Sequence, residues 1–485
     1  MRAPPATLDL EDEDLPVAEA IANLLETARR RREVRGISSG RPAFRLSELR
    51  QELLRGRVFE DPARLLARLR RRGLLEEATS GRGDRLYVAP AAEELLGLLH
   101  RATLAEPPVP APTPGPMAPD EAAEIQDMDT AFFVYLRDLL ENRREEALEF
   151  ARGFHLEALL EYTRELFGED LYLDLALSLL QQYALADVPL LAPNGRTTGT
   201  TGFHLALFGP PGTGKSFAID DLIRGNPKSG VPPHGLPGRN RYCGGITPAQ
   251  FLRVGSYYRG RTFNFIVPEF NDWFKYRGMV EPLKLVMEQR EVKWETTFGT
   301  VGPYTFRSYF SVNYNVRVAG GSDYWTTIAD PNFAALEDRM LLRFHLMTRD
   351  RFRAVEESAQ RLELGEIDFS LAERIRDHLT LVYAIQTRHP LVSRWNLRPV
   401  ALSRRLYDRL GEVSQKALAR TEHPKFSPRL KGRAVKLAAA GALVGYFAHE
   451  EEKGALPVGK AEEELARRFY AEEIEAREGR RFGSA

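Results

Sequence analysis

Apolar positions divide the chain into short strand-like runs and longer stretches at helical spacing. The run Phe203-His204-Leu205-Ala206-Leu207-Phe208 reads as one strand, and Thr262-Phe263-Asn264-Phe265-Ile266-Val267 as another. Residues 292–297 and 304–307, around a turn at Phe298-Gly299-Thr300, predict a hairpin, and strands follow at 308–312 and 341–347. Helical spacing covers 121–187, 217–223, 248–254, 280–288 and the whole stretch from 351 to the end. Near the N-terminus, Leu46, Leu49, Leu53 and Leu54 mark one amphipathic helix. Asp61-Pro62 opens a second, with Leu65, Leu66 and Leu69 inward. Gly73-Leu74-Leu75, a polar turn at 80–83 and the strand-like Arg85-Leu86-Tyr87-Val88 complete a small unit of two helices and a β-wing. Residues 194–202 read as a Thr/Gly-rich loop.

Composition sharpens this outline. A chain of 485 residues predicts two or three domains. The clearest boundary is 105–119, where 7 prolines make a semi-rigid spacer. The expected division is an N-terminal unit over 1–104, a linker over 105–120, an α/β core with a helical lead-in over 121–350, and a helical lid with a C-terminal extension over 351–485. The formal net charge is zero, so partners must be chosen by local patches. From Arg41 to Pro90 there are 12 arginines and 7 acids, and Arg64, Arg68 and Arg71 share one helix face. The single Cys243 excludes an internal disulfide and a thiol-rich zinc site. No apolar run approaches membrane-spanning length and the N-terminus is acidic, so a cytoplasmic protein without a membrane partner is expected. Arg29 to Arg32 with Arg35 read as a solvated arm or a nucleic-acid contact, and Gly483-Ser484-Ala485 as a cloning remnant.

The chemistry centres on Gly209-Pro210-Pro211-Gly212-Thr213-Gly214-Lys215-Ser216, set between a strand and a helix. Glycines at this spacing let backbone N–H groups converge on phosphate oxygens at a helix N-terminus. Lys215 would reach the β- and γ-phosphates, and the Ser216 hydroxyl would serve Mg²⁺. Lysine is scarce, 11 against 57 arginines, and Lys215 is the first in the chain. The second apolar strand ends in Pro268-Glu269-Phe270-Asn271-Asp272. Phosphate-loop ATPases carry an acidic pair there, one acid for Mg²⁺ and one for the attacking water. Here Glu269 fills the second place and Pro268 the first, which leaves Ser216 with extra waters, or Asp272, to serve the metal.

The order of these segments resembles the AAA+ ATPases, in the branch with a hairpin before the sensor-1 strand, which includes minichromosome-maintenance helicases and MoxR-type ATPases. The resemblance runs from about Gly168 to Ala448. It implies an α/β phosphate-loop core with a parallel sheet between helices, a helical lid, and ATP with Mg²⁺ as cofactors. By resemblance Glu269 is the catalytic acid, Asn315 the sensor-1 residue with Asn313 as alternative, and Arg339 the finger reaching a neighbour's nucleotide. Arg429, at the start of the helix through Leu443, would contact the γ-phosphate, with Arg398 as a rival. The N-terminal unit resembles a winged helix. Arg64, Arg68, Arg71 and Arg82 there, with Lys293 and Arg307 of the hairpin, are the candidate DNA contacts. The expectation is a ring-forming, hexameric DNA translocase or helicase of a mobile element or virus, working with a primase, polymerase or other replication proteins. A MoxR-like protein-remodelling ATPase and an ATP-switch loader are the alternatives, since the hairpin turn has no lysine or arginine.

Overall fold

The computed structural model describes residues 14–34, 41–55, 62–79, 85–92, 94–96, 98–99, 119–258, 261–273, 278–296, 299–315, 336–449 and 454–478. Arg35, Arg82, Phe298, residues 105–118 of the proline-rich spacer and residues 483–485 lie outside that set. The chain forms two compact units, Met1–Ala111 and Pro112–Ala485.

In the first unit, helices Leu15–Val34, Leu46–Arg55 and Ala63–Arg71 accompany a three-stranded antiparallel sheet. Its strands β1 (Ala43–Arg45), β2 (Glu76–Thr79) and β3 (Arg85–Val88) lie in the order β1-β3-β2. Leu49, Leu53, Leu65, Leu66 and Leu69 are buried, as their spacing requires, around Phe44 stacked on Tyr87. Pro62 stands at the N-cap of the helix Ala63–Arg71 and offers no side-chain cap.

The second unit is α/β. Its strands in chain order are β4 (Pro189–Leu191), β5 (Thr197–Thr200), β6 (His204–Gly209), β7 (Asn240–Tyr242), β8 (Asn264–Val267), β9 (Glu291–Thr296), β10 (Gly299–Thr305), β11 (Tyr309–Asn315), β12 (Met340–Phe344), β13 (Val400–Ala401) and β14 (Leu456–Pro457). Five of them form a parallel sheet in the order β12-β6-β11-β8-β7. Both faces of this sheet are covered, which is why its strands read as nearly continuous apolar runs. Leu205, Leu207 and Ile266 face a core built with the helices Tyr172–Ala184, Ala372–Gln386 and Arg429–Val444. Ala206, Phe208, Phe265, Val267, Phe310 and Val312 face a second core, rich in aromatic rings from Phe251, Trp273 and Phe306.

Several expectations need correction. Residues 197–200 are not loop but strand β5, paired with β4 in a second sheet of order β14-β13-β4-β5. The C-terminal stretch is therefore not helical throughout, since β13 and β14 join that sheet. In the hairpin, Gly299 and Thr300 belong to β10, not to the turn, and the register shifts between Val301 and Tyr304 around Gly302-Pro303. A glycine there is obligatory in this backbone: its φ is 95°, and a Cβ would lie 2.2 Å from the Val292 carbonyl oxygen.

From its dense charge the last helix, expected over 461–479, reads as solvated or packed on a partner; the helix Lys460–Arg477 packs one face against the chain's own core instead. Its charges are paired as they are buried. Arg477, 2% exposed, donates to Glu337 at 2.9 Å and Glu473 at 3.1 Å, and Arg433 lies 3.4 Å from Glu473. Burial raises the Glu473 pKa against the opposing pull of the two guanidiniums. Removing one partner strands the others without water. Arg477→Met is expected to cost about 3–5 kcal/mol of stability, read as a lower guanidinium midpoint; an unchanged midpoint would show that the network contributes nothing net.

Candidate active site at the ends of the parallel strands

The parallel register brings the carboxyl ends of β6, β8 and β11 together. Asn315 pairs with Gly209 across β11 and β6, and Val312 with Val267 across β11 and β8. β6 runs into the glycine-rich loop at this edge. Gly209, Gly212 and Gly214 have φ of 153°, 79° and 85°, a region that side chains rarely adopt. At Gly209 a Cβ would also lie 2.8 Å from the His345 carbonyl oxygen, so the loop starts where only glycine fits.

Lys215 is buried against its own loop. Its Nζ donates to the Gly209 carbonyl at 3.0 Å, the Pro210 carbonyl at 2.6 Å and Thr213 Oγ1 at 3.1 Å. Burial, and then the nearby Arg351 cation, lower its pKa to about 8. Glu269 and Asp174 pull the other way. After Ser216 the chain winds as a π-turn, Phe217–Asp221, before its last turn, Leu222–Arg224.

Both candidate asparagines reach this point. Asn315 Nδ2 donates to Glu269 Oε2 at 2.9 Å, and Asn313 Nδ2 donates to Ser216 Oγ at 2.9 Å. Glu269 itself is exposed at the strand edge. Asn271 fixes Asn315 from the side: the Asn315 N–H donates to Asn271 Oδ1 at 2.9 Å, and Asn271 Nδ2 donates to the Asn315 carbonyl at 3.0 Å. A carboxylate, an amide, a serine hydroxyl and a lysine thus converge beside a loop with backbone free to bend around an anion. Such a set fits a nucleotide's phosphates and their Mg²⁺, with Ser216 nearest the metal. An apolar cavity of about 140 Å³ adjoins the loop, lined among others by Leu171, Gly214, Phe217, Val355 and Leu362.

Sequence reasoning missed the groups that hold the loop from behind. Arg351, 7% exposed, donates to the Thr213 carbonyl through Nε at 3.2 Å and Nη2 at 2.7 Å. It also donates to the Asp170 carbonyl at 3.0 Å and to Asp174 Oδ2 at 2.6 Å. Burial would raise the Asp174 pKa, yet the carboxyl is held below its usual value. Set against burial are the His345 ring at 3.5 Å and then the guanidiniums of Arg351 and Arg343, the last at 3.2 Å. Burial in turn pushes the His345 pKa well down. Thr348 caps the helix Arg349–Glu363 through the Arg351 N–H at 3.1 Å, so the cap was readable. The link to Thr213, 138 residues earlier, was not.

Arg339 and Arg429 are elsewhere. Arg339 stands just before β12, whose Met340 pairs with His204 at the far end of β6 from Gly209, and Arg429, the first residue of its helix, is held there by Asp338. At strand rise that is about 17 Å from the loop. Arg339 is held by Glu288 at 2.5 Å and Asp338 at 3.2 Å, and Arg429 by Asp338 at 2.9 Å. In this structure Arg429 thus lies away from the loop, held by Asp338. An open cavity of about 750 Å³ at that end gathers Arg290, Arg339, Arg429, Lys431, Arg433 and Lys436 against the acids Glu288 and Asp338. Arg398 is buried in a structural role, donating to the Gly454 and Tyr446 carbonyls at 3.1 and 2.9 Å.

The candidate DNA contacts are divided between the two units. In the first unit Arg64 and Arg71 are exposed, whereas Arg68 is bound to the buried Asp14 at 3.0 Å. In the second, Arg307 is exposed and Lys293 pairs with Glu295 at 2.6 Å. No known protein family and no curated protein matches the chain. Among the described residues no helix is long and apolar enough to cross a membrane, and no cluster of His, Cys, Asp and Glu could hold a metal without further ligands.

Two outcomes are expected from this geometry. Arg351→Met leaves the Thr213 carbonyl and Asp174 without their cation, and a loop misplaced by even 1 Å loses about 100-fold in function. If the loop holds a nucleotide, ATP affinity should fall in Arg351→Met, with partial recovery in Arg351→Lys; full affinity in the Met variant would refute the clamp. Affinity for ATP should also weaken with pH above about 8, where free Lys215 loses its proton. The expected slope approaches tenfold per pH unit, the limit for one linked proton, and a flat profile from pH 7.5 to 9.5 would separate Lys215 from phosphate binding.

Proposed function

We propose that the protein is a Mg²⁺-dependent ATP hydrolase of AAA+ type. One observation carries this reading. Glu269 and Asn315 are hydrogen-bonded to each other at the edge where the loop of Lys215 and Ser216 begins. The phosphates lie along that loop, with backbone N–H groups and Lys215 on their oxygens. The apolar cavity beside Gly214 and Phe217 is of a size for a purine base. Glu269 accepts a proton from, or orients, the attacking water, and Asn315 holds the carboxylate until the water is in line. Ser216 would stand nearest a bound Mg²⁺, which would supply the positive charge that offsets the phosphates.

Arg339 and Arg429, at the opposite end of the sheet, serve the nucleotide of a neighbouring copy. A head-to-tail contact of this kind closes into a ring, and a hexamer is the closure proposed. The basic cavity around Arg290, Arg429 and Lys436 supports an anionic visitor there. The substrate proposed is DNA, with the first unit as a winged helix that loads or steers it. A second reading, remodelling of a protein substrate, is favoured by Lys293 and Arg68, two of the proposed phosphate contacts that instead bind Glu295 and Asp14.

Mixing two inactive variants tests the assembled site. Glu269→Gln should bind ATP but turn it over about 100-fold to 10,000-fold more slowly. Arg339→Ala should bind and assemble yet hydrolyse about 1,000-fold less. Mixed rings contain interfaces with an intact Glu269 and an intact Arg339, so part of the activity should return on mixing. A monomer with full ATPase activity would overturn the ring and leave only the nucleotide site.

A further inference from the structure

The proline at position 268 leaves the phosphate loop without the acid that would ordinarily attend its metal ion. We propose that Asn313 fills that place with a neutral amide, its side-chain oxygen receiving a hydrogen bond from the water shell of the Mg²⁺ bound beside Ser216. The inference rests on the reading of the loop as an ATP site and concerns the metal within it.

Register puts Asn313 where the acid would be. Val312 is paired with Val267, so the next residues, Asn313 and Pro268, stand level on adjacent strands. Pro268 follows directly on the end of β8, while Phe310, Val312 and Tyr314 point to the aromatic core, which turns Asn313 to the other side. That is the side of the helix after the loop, and there Asn313 Nδ2 meets Ser216 Oγ at 2.9 Å.

The other half of the amide is unspent. Asn313 is 3% exposed, and its Oδ1 has no hydrogen-bond partner among the described residues. A buried acceptor left unmade is costly, and a strand could carry an apolar residue here at no such cost. Mg²⁺ dehydrates reluctantly and keeps several waters, each an O–H donor that needs an acceptor. Asn313 Oδ1 is an acceptor of that kind, one side chain away from the serine hydroxyl. A carboxylate would accept the same hydrogen bond and add a full charge. The amide keeps the direction and gives up the charge, so it predicts a weaker and more exchangeable metal.

The test reads metal affinity without turnover. A fluorescent ATP analogue is bound to the full-length protein in EDTA, and MgCl₂ is titrated in, for wild type, Asn313→Leu, Asn313→Asp and Pro268→Asp. Outer partners of a bound metal are worth about 10-fold to 100-fold in its affinity. The half-saturating Mg²⁺ concentration should therefore rise by that factor in Asn313→Leu and fall in Asn313→Asp, each read against the same variant's own affinity in EDTA. Pro268→Asp introduced into Asn313→Leu should restore Mg²⁺ affinity, and it does so from the neighbouring strand. If Asn313→Leu does not fold, Asn313→Asp and Pro268→Asp in the wild-type background carry the test, both lowering the Mg²⁺ requirement. Unchanged Mg²⁺ requirement in every folded variant overturns the inference and leaves the nucleotide site standing. Equal losses with and without Mg²⁺ in Asn313→Leu also overturn it, since Asn313 would then merely support the loop. Wild type that binds no nucleotide in either condition overturns the ATP-site reading and this inference with it.

Discussion

The position of β11 between β6 and β8 is the constraint from which the candidate site follows. A parallel strand buried on both faces cannot slip: a shift of one residue would exchange every side chain between the two cores. Phe310 and Val312 would leave the rings of Phe251, Phe265 and Trp273. Ser311 would lose its hydrogen bonds to Gln181 and Asn264, at 2.6 and 3.0 Å. The polar residues at the strand end are thus aimed by apolar and hydrogen-bonded packing well behind them. Asn313 meets Ser216, and Asn315 meets Glu269, because the register allows no other pairing.

A second layer of control comes from buried charge. Glu269 and Asp174 favour the charged form of Lys215, but burial and the nearby Arg351 cation outweigh them. Asp174 resolves the conflict by holding Arg351 and Arg343 together under the loop. Arg351 lies in the first turn of the helix that follows β12, so its hydrogen bonds to the Thr213 carbonyl tie that helix to the loop, and its salt bridge to Asp174 ties both to the helix Tyr172–Ala184. Displacement of the helix would strain the Thr213 carbonyl, and a phosphate charge arriving on the loop would be felt by the helix. A lysine in place of Arg351 could not reach the Thr213 carbonyl, the Asp170 carbonyl and Asp174 at once, because only the planar guanidinium offers a fixed fork of donors.

Much of this was legible in the sequence and some was not, for physical reasons. The strands β6, β8 and β12 announce themselves because complete burial selects apolar residues at successive positions. The glycine-rich loop was visible because its backbone angles exclude side chains at Gly212 and Gly214. β5 was hidden: Thr197 to Thr200 is a mostly exposed edge strand, and its composition is that of a loop. β13 and β14, two residues each, are strands only by virtue of their partners. The final helix looked solvated because its charges are dense, and only the structure pairs Arg477 with Glu337 and Glu473. Arg351 escaped notice because its value lies in a carbonyl and a carboxylate from distant segments, and one sequence carries no trace of either.

The two ends of the sheet now pose a single electrostatic problem. At the carboxyl end, a buried lysine has its pKa lowered despite the pull of Glu269 and Asp174, and a bound anion would add the counter-charge that they do not fully supply. At the amino end, Arg339 and Arg429 already have theirs, in Glu288 and Asp338. In the proposed ring, a neighbour's triphosphate would have to draw those arginines away from their acids. The desolvation cost is already met in part, since Arg339 is 16% exposed while it holds Glu288. What remains is an exchange of one anion for another, and the multivalent phosphate is the stronger competitor. Without nucleotide the acids win, and the contact between subunits lacks its polar centre. Assembly and nucleotide occupancy would then be one equilibrium, coupled through the ion pairs of Glu288 and Asp338, with each favouring the other by the same factor.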